Sequence, residues 1–281
     1  MRSLLFVPGD RPERFAKAAA TGADALILDL EDSVVAERKA VAREEVAKAL
    51  DAPAWGAKLF VRVNPLGSAY HAADLQALRG LKPYGVMLPK AEGAACVNAL
   101  ADKLAAAAIE TLILPIATET PRAIFHLGSY GDVASRLTGL TWGAEDLPAA
   151  IGALTSRETD GRYTPPYEIA RALTLFAAHA AGVDAIETVY PDFRDLEGLR
   201  AYTARAARDG FTGMMAIHPA QVPIINAAFT PDDEAIAHAE EIIAAFATHP
   251  GVGAMQINGR MIDAPHLKQA QKLLARAGKR A

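Results

Sequence analysis

Residues 25–50 read ALILDLEDSVVAERKAVAREEVAKAL. The opening run, Ala25–Leu30, is nearly continuous in apolar residues rather than alternating, which is the pattern of a strand buried on both faces. Ser33–Leu50 follows, rich in alanine and charge and long enough for a helix. The same couplet recurs outward in both directions. Further strand-type runs are Leu4–Val7, Leu59–Val63, Gly85–Pro89, Leu112–Ile116, Leu137–Trp142, Asp184–Val189 and Gly213–Ile217. Helical stretches lie between and after them at Arg11–Thr21, Asp74–Leu81, Ala94–Ala108, Arg122–Ser129, Pro166–Ala181, Leu196–Asp209 and Gln221–Ala228. Eight such alternations over about 230 residues match an α/β fold of the parallel (β/α)8 TIM-barrel type. An open doubly wound sheet fits less well, because no GxGxxG follows the first strand.

Past the eighth unit the chain departs from a minimal barrel. Pro231–Thr248 reads as an amphipathic helix opened by Asp232, Asp233 and Glu234, acids suited to a helix N-terminus. Pro250-Gly251 and Val252–Met261 come next, then a basic last helix over Ala264–Lys279. The expected organisation is a catalytic barrel at 1–230 and a C-terminal helical extension at 231–281, a lid or an arm reaching a neighbouring subunit. Between the sixth and seventh strands, Ser156–Pro166 reads as a polar active-site loop.

Composition narrows the class. The 281 residues carry 29 Lys and Arg against 33 Asp and Glu, a formal charge of -4, with no basic excess to suggest nucleic acid as a partner. No apolar run approaches the roughly 18–20 residues of a membrane span, and Pro8-Gly9 end the first apolar stretch too early for a signal peptide. The single cysteine, Cys96, excludes an intramolecular disulfide, points to a reducing cytoplasm and reads as a small buried hydrophobe.

Barrel chemistry sits at the C-terminal strand ends. Read off in order, those ends carry Asp10-Arg11, Asp29-Leu30-Glu31-Asp32, Arg62, Lys90, Glu119, Glu145-Asp146, Glu187 and His218-Pro219. Convergent carboxylates with room for water suit Mg²⁺, a hard ion that takes oxygen ligands, with Mn²⁺ as an alternative. Arg62 can hold a substrate carboxylate in a bidentate fork. Together they imply an anionic oxo-acid substrate whose carbonyl or alkoxide the ion polarises. Competing readings attach to the same residues. Strand-end acids also cap helices, as Asp146 before Leu147-Pro148 can; Asp29 and Glu31 share one face by parity, leaving Asp32 as a helix cap; Lys90 can pair with an acid. His126, His179 and His238 lie in helical stretches and read as structural, and Gly161 and Gly210 as turn residues.

The landmarks resemble the HpcH/HpaI aldolase and citrate lyase superfamily, and within it the citrate lyase β-subunit-like branch of malyl-CoA and citramalyl-CoA lyases. They are Arg2–Arg14 (RSLLFVPGDRPER), Leu28–Val34 (LDLEDSV), Val61–Pro65 (VRVNP), Met87–Lys90 (MLPK) and Ile116–Thr120 (IATET). Leu140–Leu147 (LTWGAEDL), Ala185–Gly198 (AIETVYPDFRDLEG), Ala216–Gln221 (AIHPAQ) and Gly259–Leu267 (GRMIDAPHL) complete the series. The resemblance implies a Mg²⁺-dependent lyase that splits a β-hydroxyacyl thioester into a 2-oxo acid and an acyl-CoA, CoA being the carrier. By position it makes Glu119 and Asp146 the metal ligands and Arg62 the oxo-acid holder, with Asp29 and Glu31 behind them bonding to metal-bound waters. Arg11, His218 and Pro219 match parts of the CoA site, and Asp263 matches a catalytic aspartate delivered from an adjacent subunit. A homo-oligomer, trimer or hexamer, follows from that last match. An acyl carrier protein in a citrate lyase complex, thioester hydrolysis, and a non-catalytic metabolite-binding subunit are the alternatives. The chain departs from the family pattern at Gly213-Met214-Met215, where a lysine is common, and at Glu187, where an aspartate is common.

Overall fold

The computed structural model describes residues 1–52, 55–249 and 251–278. They form two compact units, Met1–Asn226 and Ala227–Ala281. In the first, eight parallel strands run as β1 (Ser3–Pro8), β2 (Ala25–Asp29), β3 (Lys58–Arg62), β4 (Gly85–Leu88), β5 (Leu112–Pro115), β6 (Gly139–Thr141), β7 (Asp184–Glu187) and β8 (Gly213–Ala216). Neighbours pair in sequence order and β8 pairs with β1. Parallel bridges from Ile113 to Leu137 and from Ile116 to Thr141 join β5 to β6 and close the (β/α)8 barrel.

The barrel interior is a cluster of alternate strand residues: Leu4, Ala25, Ile27, Phe60, Met87, Leu114, Ile116, Ile186 and Met215, with Phe6 and Val189 packed against it. Period-2 alternation then carries the same inward rows to the strand ends, where Phe6 follows Leu4, Asp29 follows Ile27 and Arg62 follows Phe60. Register completes the placement, since Pro8 pairs with Asp29 and Asp29 with Arg62. A hydrophobic plug thus ends in a charged floor.

Several helices differ from the sequence reading. Residues 121–136 form a short helix at Pro121–Ile124 and a 3-10 stretch at Leu127–Arg136 kinked at Val133, in keeping with the weak helix propensity of Gly128 and Gly131. The helix expected from Asp74 begins at His71, and an unanticipated helix spans Asp146–Ile151, ended by Gly152 in the left-handed conformation. Cys96 is half-buried rather than buried, on the helix Ala94–Ala106.

The second unit is built from a helix at Asp233–Thr248, capped by Asp232, an antiparallel hairpin of β9 (Ala254–Ile257) and β10 (Arg260–Asp263), and a helix at Ala264–Arg276. Asn258-Gly259, both at positive φ, make the turn. Its core is Ala239, Ile242, Ile262, Ala270 and Leu274. The expected end of the last helix at Lys279 lies outside the described residues. No described helix is long and apolar enough to cross a membrane.

Candidate active site

A cavity of about 720 Å³ opens at the C-terminal ends of the barrel strands, where the fold concentrates its chemistry. Phe6, Ile116, Val189 and Met215 form apolar wall; Asp29, Asp32, Arg62, Glu119, Glu145 and Asp146 supply charge; Arg14, Lys17, His218 and Pro219 line it as well.

Arg62 is fixed on three sides. Its Nε donates to Asp29 Oδ1 at 2.7 Å and its Nη2 to Asp29 Oδ2 at 2.6 Å, a bidentate fork. Nη1 lies 2.8 Å from Glu31 Oε2, and the guanidinium stacks 4.9 Å from the centre of the Phe6 ring. Burial pushes the Asp29 carboxyl up, but the Arg62 hydrogen bonds and charge hold it below the ordinary range. Glu31 goes the other way, because burial outweighs Arg62 and Lys90.

Glu119 is buried at 5% exposure and accepts one hydrogen bond, from the Lys90 backbone N–H at 2.5 Å. Burial first, then the charges of Asp146 and Glu31, push its carboxyl up to about 8. Asp146 opens its short helix as a first-turn acid with Glu145 at the cap position, and its half-exposed carboxylate lies 3.5 Å from Lys90 Nζ. Thr118 and Gly143 exchange hydrogen bonds at 3.1 Å, which ties the loop after β5, bearing Glu119, to the loop after β6, bearing Asp146. Two oxygen-donor carboxylates opening on one water-accessible cavity fit a magnesium ion, which is held by one or two carboxylates and keeps its other positions for water and substrate. Among the described residues no group of three or more His, Cys, Asp or Glu forms a ligand cage.

Other expected residues fall differently. Among the described residues Asp32 caps no helix: the Val34 N–H donates to the Glu31 carbonyl, and the next helical turn begins at Ala36 after Val35. The Asp29 carboxylate accepts from the N–H groups of Glu31 and Ser33, and Asp32 stays exposed on the cavity wall. Arg11 does not line the cavity; it is half-exposed beside Asp10, and Arg14 at the end of the 3-10 turn and Lys17 on the short helix Phe15–Ala19 are the nearby cations that reach the wall. Those two were missed because a 3-10 turn at Pro12–Arg14 re-aims the segment. The Ser156–Pro166 loop also stays off the cavity wall among the described residues, since Arg157 folds back onto Gly161 and Tyr163. His218 caps the turn at Pro219–Gln221 through Nδ1 and stacks on Phe193 at 4.9 Å. Glu187 is a buried post, accepting from Trp142 Nε1, Arg171 Nε, Tyr202 OH and Thr188 N. Asp263 belongs to the second unit, where it opens the helix Ala264–Arg276 and lies 2.5 Å from His266 Nδ1.

A (β/α)8 barrel whose mouth joins paired carboxylates to an anchored arginine defines the class of barrel enzymes that handle small oxo-acids. The chain belongs to the HpcH/HpaI aldolase/citrate lyase family, whose model matches residues 2–219. It is 40% identical over 274 residues to a citrate lyase subunit beta-like protein of Mycobacterium tuberculosis, covering 98% of this chain and 94% of that one. It is 34% identical to an L-malyl-CoA/beta-methylmalyl-CoA lyase of Cereibacter sphaeroides (98% and 94% covered) and 35% identical to the mitochondrial citramalyl-CoA lyase of Rattus norvegicus (98% and 86% covered). The structure of protein CitE from Mycobacterium tuberculosis in complex with magnesium, acetoacetate and coenzyme A superposes with a TM-score of 0.83 at 40% identity, covering 99% of this chain and 98% of that one.

Proposed function

We propose that this chain is a Mg²⁺-dependent carbon–carbon lyase that cleaves, or forms, a β-hydroxyacyl-CoA such as malyl-CoA or citramalyl-CoA, giving a 2-oxo acid and an acyl-CoA. The observation that carries this reading is the junction of Arg62, Glu119 and Asp146 on one cavity wall. Glu119 and Asp146 would hold the ion, which supplies Lewis-acid polarisation of the oxo-acid oxygens; Mn²⁺ satisfies the same donors.

Of the five N–H donors of Arg62, those on Nε and Nη2 that meet Asp29 are spent, while Nη1 lies 2.8 Å from Glu31 Oε2 without a hydrogen bond to it, so the guanidinium keeps donors for a substrate carboxylate. The three anchored contacts remove the rotamer freedom that a free arginine would lose on binding. The hydroxyl proton passes to water in the cavity as the O–H electron pair becomes the C=O bond of the oxo-acid. The electron pair of the broken C–C bond leaves with the thioester fragment as its enolate, which then takes up one proton at carbon. Asp263, supplied by a neighbouring copy, protonates the enolate carbon, and in the condensing direction removes that proton. Asp29 and Glu31 stand behind Arg62 and orient it. His218, Pro219 and the first-strand loop, through Arg14 and Lys17 more than Arg11, receive the CoA moiety.

A site completed in trans makes the working unit a homo-oligomer, a trimer or a hexamer, and the lone cysteine suits the cytoplasm. The M. tuberculosis citrate lyase beta subunit bound to oxaloacetate and magnesium, 41% identical, supports the oxo-acid half of the reading. An acyl carrier protein in place of CoA is the alternative carrier. The test is a panel of malyl-, citramalyl- and citryl-thioesters, on CoA and on carrier protein, with products identified by mass. Release of an oxo-acid with the shortened acyl thioester supports the lyase. Free CoA with an intact hydroxy acid would instead identify a thioesterase, and no turnover of any member would refute both.

A further inference from the structure

Lys90 follows β4 and Pro89 in the left-handed region, at φ 53°, a conformation that residues with a Cβ rarely adopt. In that conformation it contacts three carboxylates, those of Glu119, Glu31 and Asp146. Its backbone N–H meets Glu119 Oε2 at 2.5 Å, and its Nζ lies 3.0 Å from Glu31 Oε1 and 3.5 Å from Asp146 Oδ1. The other Glu31 oxygen lies 2.8 Å from Arg62 Nη1, so both of its oxygens face cations. Glu31 is 3% exposed and absent from the cavity wall, whereas Glu119 and Asp146 line it.

The geometry points to Lys90 as a positioning residue that limits the metal site to two carboxylates, holding Glu31 back while its backbone sets Glu119 in place. This rests on the proposed Mg²⁺ lyase reading. The chemical consequence is selectivity. Three convergent carboxylates would hold a divalent ion more tightly, favour the larger and more highly coordinated Ca²⁺, and use up positions that an oxo-acid needs. Two carboxylates with an ammonium beside them leave those positions open and weaken the grip on Ca²⁺.

Lys90→Met removes the charge but keeps an unbranched side chain and the same backbone demand, so metal affinity isolates the ammonium. Calorimetric titration of the full-length protein with Mg²⁺ and with Ca²⁺ is the measurement. Lys90→Met should bind Ca²⁺ about tenfold more tightly than wild type, with a smaller gain for Mg²⁺ and a fall in turnover. Lys90→Arg should stay near wild type, and Glu31→Gln added to Lys90→Met should abolish the gain. If Lys90→Met fails to fold, Lys90→Gly removes the same charge, relieves the left-handed backbone and should show the same gain. Unchanged or weaker Ca²⁺ binding in the folded variant, or a gain that survives Glu31→Gln, overturns the inference while leaving the lyase reading intact. If wild type binds no Mg²⁺, or Glu119→Gln binds it as tightly as wild type, both fall.

Discussion

Arg62 shows how much of a site can be assembled by two strands in register. Asp29 and Arg62 pair across β2 and β3, both on the inward row, so the fork between them follows from parity and alignment. Arg62→Lys keeps a charge but loses the planar fork, and should lower kcat/KM by roughly 100-fold with the fold intact by circular dichroism. Asp29→Asn breaks a buried pair and should cost about 3–5 kcal/mol in urea unfolding near neutrality. The Asp29 carboxyl titrates lower in the folded chain than in the unfolded one, so its contribution is complete above the ordinary carboxylate value, about 3.9, and fades as pH falls through the folded value. Wild type should therefore lose more stability than Asp29→Asn on going from pH 5 to about pH 2.5; parallel loss in both would contradict this. Asp29, Glu31 and Arg62 could be picked from the sequence because strand parity is strict. The side chain of Asp32 could not be placed, because the turn after β2 is closed by the Val34 N–H donating to the Glu31 carbonyl and the next helical turn starts only at Ala36, which leaves Asp32 nothing to cap.

At the scale of elements, the strand ends were legible and the loops were not. Near-continuous apolar runs located all eight strands, since a parallel strand covered on both faces has no polar side to blur it. The course of the chain beyond each strand depends on one or two backbone angles. The turn at Pro12–Arg14 exchanges Arg11 for Arg14 and Lys17 at the cavity, and the hairpin turn Asn258-Gly259 lies in Val252–Met261, to which the sequence reading assigns no element. Gly143, just after β6, illustrates the tightness of the result: a Cβ there would meet Glu119 Cγ at 2.8 Å and Ile116 Cγ2 at 3.1 Å. Gly143→Ala should displace Glu119 and weaken Mg²⁺ binding about tenfold or more, read by calorimetry. An unchanged affinity would show that the Glu119 carboxylate is not held by that contact.

For the whole molecule, the formal charge of -4 takes on a local meaning, because Asp29, Asp32, Glu119, Glu145 and Asp146 converge on one cavity. A folded chain that binds Mg²⁺ gains about 2.7 kcal/mol when the ion stands at 100 times its Kd. Thermal unfolding should therefore shift upward with Mg²⁺ in wild type and stay put in Glu119→Gln. The second unit bears Asp263, a residue the barrel alone does not explain. Mixed oligomers of Asp263→Asn and Glu119→Gln, each inactive alone, should recover activity if one copy completes the site of another; verified mixtures that stay inactive would place Asp263 elsewhere.

The most direct measurement is the release of an oxo-acid and acetyl-CoA from malyl-CoA or citramalyl-CoA by the purified protein, followed with Mg²⁺, with excess chelator, and in Glu119→Gln. Carbon–carbon cleavage that needs Mg²⁺ and falls by at least about a hundredfold in the variant is the expected result. Full cleavage in chelator, or undiminished cleavage in Glu119→Gln, would contradict the central claim.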